Sequence, residues 1–383
     1  MARSLSKSLV KAKHIMSESK KNLYFENLDG WRAVAAFAVI FAHLSYQIKD
    51  NEKFAFALKA VLSFGGVGGR LGVIFFFILS GFLITYLLFT ENKSHGKIQI
   101  GSFYLRRVLR IWPLYYLTLL IGFVILPLFK DVGAENASPL LYSLFLANFD
   151  HIYNGFPTLN TLGVQWSVCI EEQFYIVWPL LFWLMQKTKS FVGLTILLII
   201  SSEMFFIVSG IKMKSGDYHL ISCFKYLALG GLLANWAFYH QEKMVKFLSF
   251  FSKHLTLAIY IISLGFIFLQ HKILGHFSIY PYIFHVVPAL FFSFVIIEHN
   301  FSPNSFFKMG KFKILTWLGK ISYGLYLTHM IGINIALLIL KDIVNIWYLI
   351  PMSLFFTITI SYLSYHYFEA YFLKLKKSFS KVN

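Results

Sequence analysis

Arg32 and His43 stand eleven residues apart in LDGWRAVAAFAVIFAHL. On a helix that is about three turns and ~16 Å of rise, so a guanidinium and an imidazole share nearly one face. The first suits a phosphate or carboxylate, the second a proton-transfer step; an interfacial anchor and a satisfied interior histidine are the plain alternatives. In FYLRRVLRIWPLYY, Arg107 and Arg110 are three apart and side by side, with Arg106 adjacent. Such a pair matches phosphate oxygens, and anchoring of a membrane helix accounts for it equally well. Glu171 and Glu172 are consecutive in QWSVCIEEQFYIVWPLL, so they point about 100° apart and one of them is expected to face the interior. A buried carboxylate beside a histidine fixes its tautomer and raises its basicity, which makes a general base; a glutamate at the water interface is the alternative. GKISYGLYLTHM supplies Tyr323 and His329, either for chemistry or for a hydrogen bond between helices.

All of these residues lie in or beside apolar runs. The 383 residues are 57% hydrophobic and 14% charged, with a mean hydropathy of +0.64. Runs of about twenty apolar residues, enough to cross a ~30 Å hydrocarbon core as helix, recur along the chain. Segments such as LGVIFFFILSGFLITYLLF lack the period-two alternation of a membrane barrel. The expected fold is therefore an all-α integral membrane bundle of about ten transmembrane helices. The first span runs from Trp31 to Tyr46, the second from Leu71 to Phe89, the third from Val108 to Phe129, the ninth from Ile314 to Leu340 and the last from Ile346 to Leu373. Leu140 to Phe149 is too short to span and suits an interfacial or re-entrant piece.

The net charge of +18 does not form a nucleic-acid face, because the basic residues flank apolar runs. With both termini cytoplasmic, most Lys and Arg outside the spans fall on the inner side, as membrane topology favours. Trp166, Trp178, Trp347 and Tyr348 are placed near span ends, as interfacial rings. No small-residue cleavage site follows Ala33 to Leu44, so a cleaved signal peptide is not expected. Cys169 and Cys223 give neither a disulfide framework nor metal-ligand spacing, and no metal is expected. The organisation predicted is a basic cytoplasmic tail at 1–27, one transmembrane domain at 28–373 and a basic tail at 374–383.

As an ordered set, five segments resemble motifs of acyltransferase family 3, the bacterial integral-membrane O-acyltransferases. They are LDGWRAVAAFAVIFAHL, FFFILSGFLIT, RRVLRIWPLYY, QWSVCIEEQFYIVWP and LGKISYGLYLTH, and they extend from Leu28 to His329. Many relatives continue into an SGNH hydrolase-like domain. This chain stops soon after its last predicted span and resembles the stand-alone members.

The resemblance implies transfer of an acyl group, most commonly acetyl, from cytoplasmic acyl-coenzyme A to a hydroxyl of an extracytoplasmic glycan such as O-antigen or exopolysaccharide, free or lipid-linked. It implies residence in the cytoplasmic (inner) membrane. Under this reading His43, oriented by Glu171, is the general base; Ser80, Tyr323 and His329 hold the substrate or the oxyanion; Arg32, Arg107 and Arg110 bind the donor's phosphates. An acyl-histidine intermediate is the rival chemistry. A transporter of an anionic or glycan solute is the competing class, although neither repeated halves nor paired broken helices are evident.

Overall fold

A backbone in hydrocarbon must satisfy its own N–H and C=O groups, which leaves helices as the solution for apolar runs without barrel alternation. The computed structural model describes residues 24–48, 56–129, 135–212, 216–341 and 346–379; the rest of the predicted tails, 1–23 and 380–383, lies outside the described residues. Ten main helices follow one another: α1 (Glu26–Ile48), α2 (Phe56–His95), α3 (Ile100–Leu120), α4 (Gln165–Lys187), α5 (Phe191–Lys212), α6 (Leu220–Tyr239), α7 (Lys253–Leu274), α8 (Val286–Phe301), α9 (Ser322–Leu340) and α10 (Ile346–Leu363). Nine helices among the described residues are long and apolar enough to cross a membrane, and α8 is a shorter apolar helix. The chain is thus a multi-pass membrane protein.

Several boundaries depart from the sequence reading, three of them where a helix breaks or runs on through an irregular turn. First, α3 begins at Ile100 and continues through a π-turn at Ile121–Ile125 to Phe129, so its arginines lie inside the helix rather than at its edge. Second, the predicted ninth span is two helices, Lys313–Lys320 and α9, parted at Ile321 where ψ rises to 10°. The first of the two packs against α1. Third, α10 continues through a π-turn at Ser364–Glu369 into Ala370–Ser378, so residues expected in a basic tail complete the last helix.

Leu140 to Phe149 does not cross. It forms parts of two short helices, Pro139–Ser143 and Ala147–Asn154, and is tied to the bundle by its backbone carbonyls. The Tyr115 and Tyr116 hydroxyls donate to Tyr142 and Ser143 at 2.7 and 2.8 Å, and Gln173 donates to Phe145 at 2.6 Å. Trp178, expected near an interface, is fully buried and donates to Thr85 at 2.8 Å.

The core around α2 is set by small residues. A Cβ on Gly81 would lie 1.9 Å from the Leu227 carbonyl oxygen, and one on Gly230 would lie 2.0 Å from that of Ile78. Glycine at these positions lets α2 and α6 meet backbone to backbone, the membrane alternative to hydrophobic driving force. α2 also packs along α1, and α9 along α10. Tyr24 and Lys376, near the two ends of the described chain, line one cavity.

Candidate active site

α1 carries Arg32 toward one end of the bundle and His43 toward the other. At the first end, Arg32 Nη1 donates to Asp29 Oδ1 at 2.9 Å, and the buried Asp29 also accepts from the Tyr24 hydroxyl. α3 brings Arg107 and Arg110 to the same place, and Lys376 arrives from the final helix. These four cations and Asp29 line a cavity of about 290 Å³. Thus the three arginines expected to act together do meet. Lys376 was missed because, at the very end of the chain, it read as tail charge; only the continuation of α10 brings it back.

The arginines are not treated alike. Arg106 is engaged through both terminal nitrogens: Nη2 pairs with Glu91 at 2.9 Å and Nη1 donates to the Phe379 carbonyl at 3.1 Å, which ties the final helix to α3. Arg107, Arg110 and Lys376 have no acid within ion-pair distance among the described residues. Arg107 meets only rings, 5.7 Å from the Phe103 centroid and 5.9 Å from that of Tyr175, and its Nε is buried without a partner. Gathering like charges away from bulk water is unfavourable unless water or an anion answers them.

Arg32, Arg107 and Arg110 also border a second, narrower cavity of about 110 Å³, with Ser80, Glu171 and Tyr175. Glu171 accepts from the Ser80 hydroxyl at 2.9 Å and from the Tyr175 hydroxyl at 3.3 Å. Val73, Phe77 and Tyr326 separate this space from a third cavity of about 580 Å³, on which His43 opens. The three cavities therefore abut in series, and α1 runs beside all of them.

His43 lies beside His329, with ring centroids 5.0 Å apart. His329 is fully buried; its Nδ1 is 2.6 Å from the Tyr326 carbonyl and its Nε2 has no partner. Since a carbonyl only accepts, Nδ1 carries the proton and Nε2 presents a lone pair. The neighbouring Tyr326 hydroxyl is 2.5 Å from Ser167 Oγ.

Three expected roles change with this geometry. Glu171 does not hydrogen-bond His43: its carboxylate is satisfied by α2 and by its own helix, in a different cavity, and His329 is the neighbour His43 has. Tyr323 gives its single hydroxyl proton to the Ile111 carbonyl at 2.7 Å, and Ser80 gives its own to Glu171. Neither retains an O–H for an oxyanion. Nor does Glu172 face outward; it is buried and accepts from Trp112 Nε1 at 2.9 Å, because α3 covers the side of α4 that faces away from α2. His151 was not singled out by sequence. Outside the spans, its Nε2 meets the Tyr142 hydroxyl at 2.8 Å, and burial pushes the imidazole down to about 4 despite the adjacent Asp150.

Fold and interior together define a membrane bundle that holds a set of ionisable side chains around internal cavities. The chain belongs to the acyltransferase family whose model, described as an acyltransferase domain, matches residues 25–366. It is 26% identical over 365 residues to the peptidoglycan O-acetyltransferase OatA of Listeria monocytogenes, covering 90% of this chain and 55% of that relative. A Staphylococcus aureus protein provisionally named an O-acetyltransferase is 29% identical over 381 residues, covering 93% and 58%. The chain thus spans little more than half the length of these relatives. No solved structure matches it.

Proposed function

We propose that the chain is a membrane O-acetyltransferase that takes its acyl group from acyl-coenzyme A, acetyl being the group named in the relatives, and passes it to a hydroxyl of a cell-envelope glycan. The observation that carries the reading is the series of abutting cavities, with unpaired cations at one end and the His43–His329 pair at the other. The names of the relatives support O-acetylation and a glycan acceptor.

The cationic end belongs to the cytoplasm in this scheme, in keeping with the positive-inside bias, and the His43 cavity opens outward from the cytoplasmic membrane. The unit responsible is the proposed domain 28–373, extended by Lys376. Arg107, Arg110 and Lys376 hold the donor's phosphates, with Arg32 kept in place by Asp29; guanidinium and ammonium groups without acids of their own fit a polyphosphate. The narrow cavity with Ser80 and Glu171 admits the slender arm, and Tyr323, which also lines it, fixes α3 against α9 through its hydroxyl.

At the junction, His43 accepts the proton of the acceptor hydroxyl as its oxygen attacks the thioester carbonyl. The new C–O bond forms, the C–S bond breaks, and the thiolate leaves and takes up the proton. His329, through its free Nε2, orients His43 in the role that Glu171 was expected to play.

Incubating purified protein with radiolabelled acetyl-coenzyme A and extracted envelope glycan tests this. Label in the glycan, lost in His43→Ala, is expected. Full product from that variant overturns the assignment of His43, and solute flux without labelling overturns the enzyme reading in favour of transport.

A further inference from the structure

The two large cavities differ in how they treat charge, and the difference bears on the acceptor. Arg70 and Lys225 are the cationic residues of Arg and Lys type that line the 580 Å³ cavity. Each is already answered by a carboxylate and by at least one ring. Arg70 pairs with Asp217 at 2.8 Å and lays its guanidinium 4.5 Å from the centre of the Phe284 ring. Lys225 pairs with Glu203 at 2.8 Å and stands 3.7 Å from the centre of the Phe206 ring. Glu203 is shared with His285, whose Nε2 is 3.0 Å away. Each lining cation therefore has a carboxylate of its own, with which an incoming anion would have to compete.

The rest of the lining mixes aliphatic side chains such as Val39, Ile74 and Val164 with aromatic and neutral polar ones. Trp166 and Tyr218 meet edge to face at 4.8 Å, and Tyr218 meets Phe156 at 5.3 Å. Asn160 accepts from Asn334 at 3.0 Å, and its own amide N–H groups have no partner among the described residues. The volume falls in the ~300–1,000 Å³ range of ordinary ligand clefts. Flat rings against which a sugar's C–H face can lie, with amide and imidazole groups for its hydroxyls, are the chemistry of a carbohydrate site.

We infer that this cavity is the acceptor site and that it selects an uncharged sugar residue over a uronate or other acidic one. The inference rests on the acyltransferase reading above and narrows its acceptor class. Selection comes from Asp217 and Glu203, which keep Arg70 and Lys225 from recruiting an anion.

Equilibrium binding to the purified full chain, measured without donor, tests it directly. The probes are radiolabelled chitotetraose, which is neutral, and a galacturonate oligomer of the same length. Wild-type protein is expected to bind the neutral oligomer at least about tenfold more tightly, a difference of ~1.4 kcal/mol. Asp217→Asn and Glu203→Gln, each freeing one cation, are expected to narrow that ratio by strengthening uronate binding. Equal or tighter uronate binding by the wild type overturns the inference, as does failure of both oligomers to bind. A parallel arm follows acetyl transfer to both sugars: neutral preference in binding without transfer overturns only the enzymatic reading, whereas equal transfer to both overturns only the inference.

Discussion

The cationic cavity and the His43 cavity share α1 and α2 and obey opposite electrostatic rules. In the first, Arg107, Arg110 and Lys376 converge with no ion-pair partner among the described residues, the one lining acid, Asp29, being taken by Arg32, while Arg106, one residue away from Arg107, is paired with Glu91 and bound to Phe379. In the second, Arg70 and Lys225 each have a carboxylate and a ring. Among the described residues, a fold that pairs the cations of one cavity leaves three unpaired in another, at a cost to its own stability. Such an exception to local satisfaction marks a ligand site better than charge itself does.

The comparison breaks most visibly if the two ends do not cooperate in one reaction. His43→Ala is expected to lower acetyl transfer by ~10²–10⁴-fold, the usual worth of a general base, while coenzyme A still binds at the far end. Loss of binding together with activity, measured by equilibrium dialysis, would mean that His43 holds the bundle together instead. Next in size is the paired arginine. Glu91→Gln leaves Arg106 buried without its acid and is expected to cost ~3 kcal/mol of stability, read as a lowered midpoint of thermal unfolding.

The unpaired cations behave in the reverse sense. Lys376→Met and Arg107→Met are each expected to raise the apparent KM for acetyl-coenzyme A roughly tenfold, in line with ~1.5 kcal/mol for a hydrogen bond to a charged group. Each is expected to raise the unfolding midpoint of the unliganded protein, because a repulsion is removed. A lowered midpoint with unchanged KM would return these residues to topology alone. The smallest effect concerns His151, outside the spans near the second cavity. Its imidazole is held down to about 4 against 6.5 in the free side chain, so the unfolded segment binds the proton more readily between those values. Its contribution is complete above pH 6.5 and is lost as pH falls toward 4; limited proteolysis within 135–164 should quicken across that window and stay flat above it.

Much of this was legible in the chain. Apolar runs located the helices because a span must be long and unbroken, and the eleven-residue spacing put Arg32 and His43 along one line because helical rise is fixed. What was hidden depends on tertiary contact. The break at Ile321 carries no proline or glycine at the site of the break, and the return of Lys376 depends on α10 continuing past Leu363 through a π-turn. The partner of His43 was misjudged because proximity in kind, a carboxylate and an imidazole in neighbouring spans, does not specify depth. Ser80 and Tyr175 satisfy Glu171 before it can reach α1. Glu91 and Arg106 give no pairing signal fifteen residues apart across a turn between helices.

The central claim is that the unpaired cations exist to bind a polyphosphate. It is tested most directly by thermal-shift titration of the purified chain with coenzyme A and with pantetheine, which lacks the phosphates. The account predicts a stabilisation by coenzyme A that pantetheine does not reproduce and that shrinks in Lys376→Met and Arg107→Met. Equal stabilisation by the two compounds, or a coenzyme A shift that persists in full in both variants, would contradict it.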